Sequence, residues 1–328
     1  MTITETFEAF NKLNVLIIGD VMIDAYLWGN VSRISPEAPV PIVSVNTKEN
    51  RLGGAANVAL NVKAMGGNPI LCSVIGDDEG SKVFIDLLKN IKLNTEGILK
   101  SKERITIIKT RVIGNNHQML RIDEEVETPI NNKEADTLTF VIKRIINQKK
   151  IDVIIFEDYD KGCLSPLLIK TIVSFAKQKN IPTVVDPKKK NFMAYTGVSL
   201  FKPNLKELKE GIKLDFNHND SKELGKVVSG FIKKQNIDSA LITLSEKGIY
   251  IHNNKSKALI PAHIRNISDV SGAGDTVVSI AAMCLALKLS PVLTATLANL
   301  AGGLVCEKIG VVPIDKNQLL DEAIALKL

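Results

Sequence analysis

Cysteine, histidine and aromatic residues are scarce in this chain of 328 residues, which has four cysteines, four histidines, one tryptophan and 5% aromatics. Cys72, Cys163, Cys284 and Cys306 lie far apart with no CxxC pair, so a disulfide scaffold is excluded and reduced, buried thiols are expected. His117, His218, His252 and His263 have no metal-ligand spacing, which argues against zinc modules. No basic segment followed by an apolar core opens the chain, so no signal peptide is expected. The longest apolar stretch, Val277 to Leu287, is too short to span a bilayer and is closed by Lys288-Leu-Ser-Pro291. These absences predict a cytoplasmic protein without a membrane partner. Internal repeats and low-complexity linkers are also missing. Basic runs are short as well: 42 basic and 36 acidic residues give a formal charge of +6, and Lys188-Lys189-Lys190 is the only tight triplet. With so few aromatics this is no nucleic-acid face, whereas a mild positive bias suits nucleotides and sugar phosphates.

What is present is an ordinary globular composition, 45% hydrophobic and 24% charged, on a chain long enough for one large α/β domain with an attached subdomain. Short β-branched runs recur at Val15 to Ile18, Ile70 to Ile75, Val153 to Phe156, Thr183 to Val185, Val198 to Phe201 and Ala240 to Thr243. They are apolar on both faces and alternate with amphipathic segments such as Leu167 to Lys177, the pattern of a buried, mostly parallel, doubly wound sheet between helices. In such sheets ligands gather beyond the carboxyl ends of the strands. Those ends carry Gly19-Asp20, Gly76-Asp77, Glu157-Asp158, Asp186, Lys202-Pro-Asn204 and Thr243, which should line one crevice.

Two segments break the alternation. Trp28 to Val45, with Pro36, Pro39 and Pro41, and Thr106 to Ile122, a hairpin around Gly114-Asn115-Asn116, read as strands without an intervening helix. They predict a small β lid, inserted at about 25–50 and 104–123 of a single domain spanning 1–328, that covers the crevice and supplies a homodimer contact.

Asp269-Val-Ser-Gly-Ala-Gly-Asp-Thr276 is the most informative run. A glycine-rich turn opening a helix aims unpaired N–H groups at one point, and the helix dipole adds positive charge there, which makes an anion cradle. Asp275 at the helix start can take a proton from a hydroxyl, although Ser271 or Asp275 could equally just cap the backbone.

With Gly53-Gly54-Ala55-Ala56-Asn57 opening an early helix and Asn204-Leu-Lys-Glu207 following a strand, the chain resembles the ribokinase-like (PfkB) sugar kinases from about Val15 onward. Gly19-Asp-Val-Met-Ile-Asp24, Ser32-Arg-Ile-Ser-Pro-Glu-Ala-Pro-Val-Pro41 and Asp158-Tyr-Asp-Lys-Gly162 are similar to the branch that phosphorylates the anomeric hydroxyl of D-glycero-D-manno-heptose 7-phosphate. The resemblance implies ATP and Mg²⁺ as cofactors, a monovalent cation near Asp269 and Ser271, and a product for nucleotide-heptose and lipopolysaccharide synthesis. A separate nucleotidyltransferase is implied downstream, because no HxGH-type pair is present. Asp275 matches the catalytic base, and the N–H groups of Gly272, Ala273 and Gly274 would hold the charge on the transferred phosphoryl group. Asn204 and Glu207 match the Mg²⁺ and ATP phosphate ligands, acting through water. Thr243, Ser245, Gly248, Ser271 and Asn299 match the nucleotide contacts. Asp24, Gly53, Gly54 and Asn57 match the sugar contacts, while Lys161, Lys188, Arg33, Arg111 and Arg121 are candidate partners of the 7-phosphate. Asp160, beside Lys161, would either weaken that contact or pair with the lysine. Rival readings are a ribokinase-like kinase for ribose, a fructose phosphate or a nucleoside, and a non-catalytic regulatory protein that binds sugar or nucleotide.

Overall fold

The computed structural model describes residues 1–328, which form two sheets. The strands in chain order are β1 (Asn14–Gly19), β2 (Val21–Ile34), β3 (Pro41–Gly54), β4 (Asn68–Gly76), β5 (Gly97–Ser101), β6 (Ile108–Gly114), β7 (His117–Glu124), β8 (Val153–Glu157), β9 (Thr183–Asp186), β10 (Leu200–Phe201), β11 (Ser239–Thr243), β12 (Ile249–Asn253) and β13 (Lys257–Ile260). The larger sheet runs β13-β12-β11-β10-β9-β8-β1-β4-β5, parallel throughout except at the β11–β12 and β12–β13 pairs.

Strand side chains alternate between the two faces, and here both faces are buried. Val15 and Ile17 of β1 enter one core with Val153 and Ile155 of β8, while Leu16 and Ile18 enter the other with Ile154 and Phe156. Helices Ala55–Ala64, Ala273–Ala286 and Pro291–Val305 cover the first face; Asn132–Gln148, Pro166–Gln178 and Ser221–Gln235 cover the second. The expected doubly wound α/β architecture is therefore present, with every expected sheet strand in it. From β1 the chain winds one way to β4 and β5 and the other way to β8, β9 and β10, which opens a crevice beyond the carboxyl ends of β1 and β8.

The smaller sheet has the order β3-β2-β6-β7. Its hairpin turns on Asn115 and Asn116, both in the left-handed region at φ 51° and 64°, as a two-residue primed turn requires. The strands reach further inward than the expected segments: β2 starts at Val21, one residue after β1, and β3 runs to Gly54, the residue before helix Ala55–Ala64. Asp20 is the whole connection between the two sheets on that side. Its buried carboxylate accepts from the N–H groups of Tyr159, Lys161 and Cys163 at 2.9, 3.1 and 2.9 Å, and so pins the loop after β8.

Candidate active site

Asp275 lies in the first turn of helix Ala273–Ala286, the helix whose residues 275–284 are all buried. Gly272 caps it at φ 80°, a conformation that suits glycine. Asn57, from the first turn of helix Ala55–Ala64, donates its amide to Asp275 Oδ2 at 2.7 Å, and the Tyr159 hydroxyl donates to Oδ1 at 2.7 Å. Asn57 is fixed in turn by Asn61, whose Nδ2 donates to the Asn57 carbonyl at 2.9 Å while its Oδ1 accepts from Thr276 Oγ1 at 3.0 Å. Burial pushes the Asp275 carboxyl up to about 6, against the lowering effect of the two donated hydrogen bonds.

Around Asp275 stand two further buried acids. Glu157 ends β8 and Asp186 ends β9; one oxygen from each, with one from Asp275, all fall within 4.8 Å of one another. Lys202, itself buried, donates to Asp186 at 2.7 Å. Lys188 lies 3.7 Å from Asp186 and 2.5 Å from Glu207. Burial, then the Asp186 and Asp275 charges, hold the Glu157 carboxyl well above the usual carboxylate range. A Cβ placed on Gly274 would lie 3.5 Å from Asp186 and 3.6 Å from Lys202, so the glycine turn faces this group of charges.

Of the three expected backbone donors, Ala273 N already donates to Val270 O at 3.3 Å, whereas the N–H groups of Gly272 and Gly274 have no protein partner. Asp269 accepts from Ser271 N at 3.0 Å and Gly310 N at 2.9 Å, which ties the turn to the segment before helix Lys316–Ala325. Asn204 and Glu207 form a reciprocal capping box, each backbone N–H donating to the other's side chain at 2.8 Å. Direct ligation by both side chains would break that box, so their fit to Mg²⁺ is through water.

Beside the turn is a cavity of about 620 Å³ lined in part by Thr243, Ser245, Gly248, Ala273, Gly274 and Asn299. Four of the expected nucleotide contacts thus meet in one place. Asn204 borders it through its bridge to Thr243, while Ser271 stands outside the lining. Asn299 already donates its amide to Pro261 O at 2.8 Å.

Asp24 is a buried residue within β2, ion-paired with Arg111 of β6. Gly53 leaves it room: a Cβ there would lie 2.1 Å from the Asp24 carboxylate. Arg111 and Arg51 both lie over the Tyr26 ring, whose hydroxyl accepts from Val311 N. The remaining candidate cations scatter. Lys161 is held by Glu125 and Glu127 at 2.7 and 2.8 Å rather than by Asp160, which accepts from Lys190 N. Arg33 is exposed, and Arg121 is paired with Asp123. Lys109, two residues before Arg111 on β6, pairs with Glu125 at 2.6 Å and therefore shares an acid with Lys161.

Sequence reasoning missed Tyr159, Glu157 as a neighbour of Asp275, and Lys109. The signal for the first two was their place at and just after the end of β8; for Lys109 it was its place two residues before Arg111, on the same face of its strand.

The family model described as pfkB family carbohydrate kinase matches residues 12–317. Among curated relatives, the bifunctional protein HldE of Caulobacter sp. (strain K31) is 36% identical over 322 residues, covering 97% of this chain and 64% of that protein. The bifunctional protein HldE of Helicobacter pylori (strain J99) is 38% identical over 299 residues, covering 90% and 63%. The chain therefore spans a little under two thirds of these relatives. Among solved structures, phosphofructokinase-2 from Escherichia coli in complex with potassium superposes with a TM-score of 0.80 at 15% identity, covering 96% of this chain and 99% of that one. Ribokinase from Thermotoga maritima gives 0.67 at 16% identity, covering 95% and 99%.

Proposed function

The chain belongs to the pfkB family of carbohydrate kinases and is a phosphotransferase acting on a sugar hydroxyl, and on that premise we propose that it transfers the γ-phosphoryl group of ATP to the anomeric hydroxyl of D-glycero-D-manno-heptose 7-phosphate. The observation that carries the chemistry is the Asp275 carboxyl, buried and poised near 6 between Asn57 and Tyr159 beside a glycine turn with two uncommitted N–H groups. A base of that affinity is ionised at neutral pH and strong enough to take a hydroxyl proton as the oxygen attacks phosphorus. Gly272 and Gly274 are placed to meet the charge on the transferred group, with Lys202 and Lys188 adding positive potential. ATP fills the cavity between Thr243 and Asn299. Mg²⁺, bound through water at Asn204 and Glu207, would neutralise phosphate charge.

The heptose reading is supported by the Ser32 to Pro41 and Asp158 to Gly162 strings and by similarity to the HldE proteins. On the acceptor side, Asp24 grips sugar hydroxyls, and the distal phosphate lies toward Arg111, Lys109 and Lys161. The smaller sheet acts as the lid. The test is ADP release with MgATP and D-glycero-D-manno-heptose 7-phosphate, fructose 6-phosphate, ribose or adenosine. Selective turnover of the heptose phosphate is expected; preferred turnover of another acceptor would replace the substrate, and no turnover despite ATP binding would favour a silent binder.

A further inference from the structure

Very few buried side-chain polar atoms in this molecule have no hydrogen-bond partner, and three of them are in one place: both carboxylate oxygens of Glu157 and Oδ1 of Asp186. Glu157 is completely buried and Asp186 is only 3% exposed. An ionised carboxylate left without a donor at such depth is strongly disfavoured, so Glu157 either keeps a proton or shares a cation with the acids beside it. Lys202 and Lys188 supply positive charge to Asp186, at 2.7 Å from Oδ2 and 3.7 Å from Oδ1, but neither ammonium is paired with Glu157, whose two oxygens stay without a partner. With Asp275, the cluster carries three carboxylates, and each comes from a rigid element: the ends of β8 and β9 and the first turn of helix Ala273–Ala286. Their oxygens fall within 4.8 Å of one another. An octahedral ion with ligands at about 2.1 Å places neighbouring donors about 3 Å apart and opposite donors about 4 Å apart, so one small divalent cation touches all three groups once these oxygens draw inward by about half an ångström.

We propose that Glu157, Asp186 and Asp275 form a divalent-cation site of the Mg²⁺ or Mn²⁺ class that binds without nucleotide and is separate from the water-mediated position at Asn204 and Glu207. The Glu207 side chain already accepts from the Asn204 backbone and pairs with Lys188, whereas Glu157 makes no competing contact. A cation here draws on an oxygen of Asp275, so free metal in excess of nucleotide inhibits phosphoryl transfer by occupying the base.

The binding test needs no substrate and stands whether or not the heptose reading holds. Mn²⁺ is titrated into the nucleotide-free full-length chain at pH 8, with free Mn²⁺ followed by electron paramagnetic resonance. One bound Mn²⁺ per chain is expected, weakened at least about tenfold in Glu157→Gln and kept in Glu207→Gln. Absence of binding in the wild-type chain would overturn the proposal and leave a retained proton as the neutralising charge. Binding lost in Glu207→Gln but kept in Glu157→Gln would overturn it too, because the ion would then sit at Asn204 and Glu207. Should Glu157→Gln fail to fold by circular dichroism, Asp186→Asn takes its place with the same two readings.

Discussion

At the scale of single residues, the decisive quantity is the affinity of Asp275 for a proton. Its carboxyl must be ionised to act as the proposed base, so kcat/KM should fall with decreasing pH through about 6, on one proton, with little change above pH 7. Tyr159→Phe removes a donor that favours the ionised form. A hydrogen bond to a charged group is worth about 1.5–3 kcal/mol, so the acid limb should move up by roughly one to two pH units, which a pH–rate profile reads directly. An unmoved limb would show that Tyr159 does not tune the base. Asp275→Asn should lose at least about 10²-fold in kcat and yet fold more stably at alkaline pH. The sign follows from a folded-state value raised from 3.8 to about 6: the native carboxyl favours folding below its unfolded value, and that contribution is lost as pH rises through 6. Removing the charge should therefore stabilise by up to about 3 kcal/mol at pH 8 and by almost nothing near pH 4, as thermal melts at the two pH values would show.

At the scale of elements, two adjacent glycines at the end of β3 do different work. Gly54 sits at φ 59°, and a Cβ there would come within 2.5 Å of the Asp20 carbonyl, which is backbone and cannot yield. Gly54→Ala should destabilise by about 1–3 kcal/mol in denaturant titrations. The Cβ of Gly53→Ala would meet the end of the Asp24 side chain, which can swing away from Arg111. That variant should lose some stability with the Asp24–Arg111 pair, but less than Gly54→Ala, while KM for the sugar rises. Equal effects of the two substitutions on stability would refute the distinction. This contrast also marks what the sequence made legible. The sheet was readable because β1, β8 and β9 carry adjacent apolar residues that face both covered sides, as in Val15 to Ile18 and Val153 to Phe156, and the hairpin because Asn115-Asn116 can take left-handed backbone. Asp275, Asn57 and Gly272 stood out because they sit in glycine-rich helix starts, and the fold brings the first two into contact. Tyr159 and Glu157 were not, because their meaning depends on β8 ending beside helix Ala273–Ala286, a contact between segments more than 100 residues apart. The cations were the least legible. A lysine reads the same whether it meets a phosphate or, like Lys161, two glutamates, and only the path of the chain after β7 decides between them.

At the scale of the molecule, the smaller sheet has two unlike faces. Register puts Asp24, Tyr26, Lys109, Arg111, Arg121 and Asp123 on one of them, the face that reaches the crevice through Val311. Alternation then places Ala25, Leu27, Val112, Leu120 and Ile122 on the other. Near the base this second face packs on helix Glu79–Asn90, where Ile23 is buried, but on the edge strand β7 Leu120 and Ile122 are 56% and 46% exposed, and at the far end of the β2–β3 hairpin Ile34 and Val40 are exposed as well. Exposed apolar residues gathered on a thin sheet favour association, and a second copy of the same sheet is a self-complementary partner under a two-fold axis. The chain should therefore sediment as a homodimer, and Leu120→Lys with Ile122→Lys should convert it to monomer. Because Arg111 and Asp24 lie on the same strands as that face, the monomeric variant should also bind the sugar phosphate more weakly while its affinity for ATP, whose proposed place is the cavity between Thr243 and Asn299, stays unchanged. A double variant that sediments as the wild-type dimer, or a wild-type chain that is monomeric at every concentration, would remove the smaller sheet as the interface and leave it only the role of a lid.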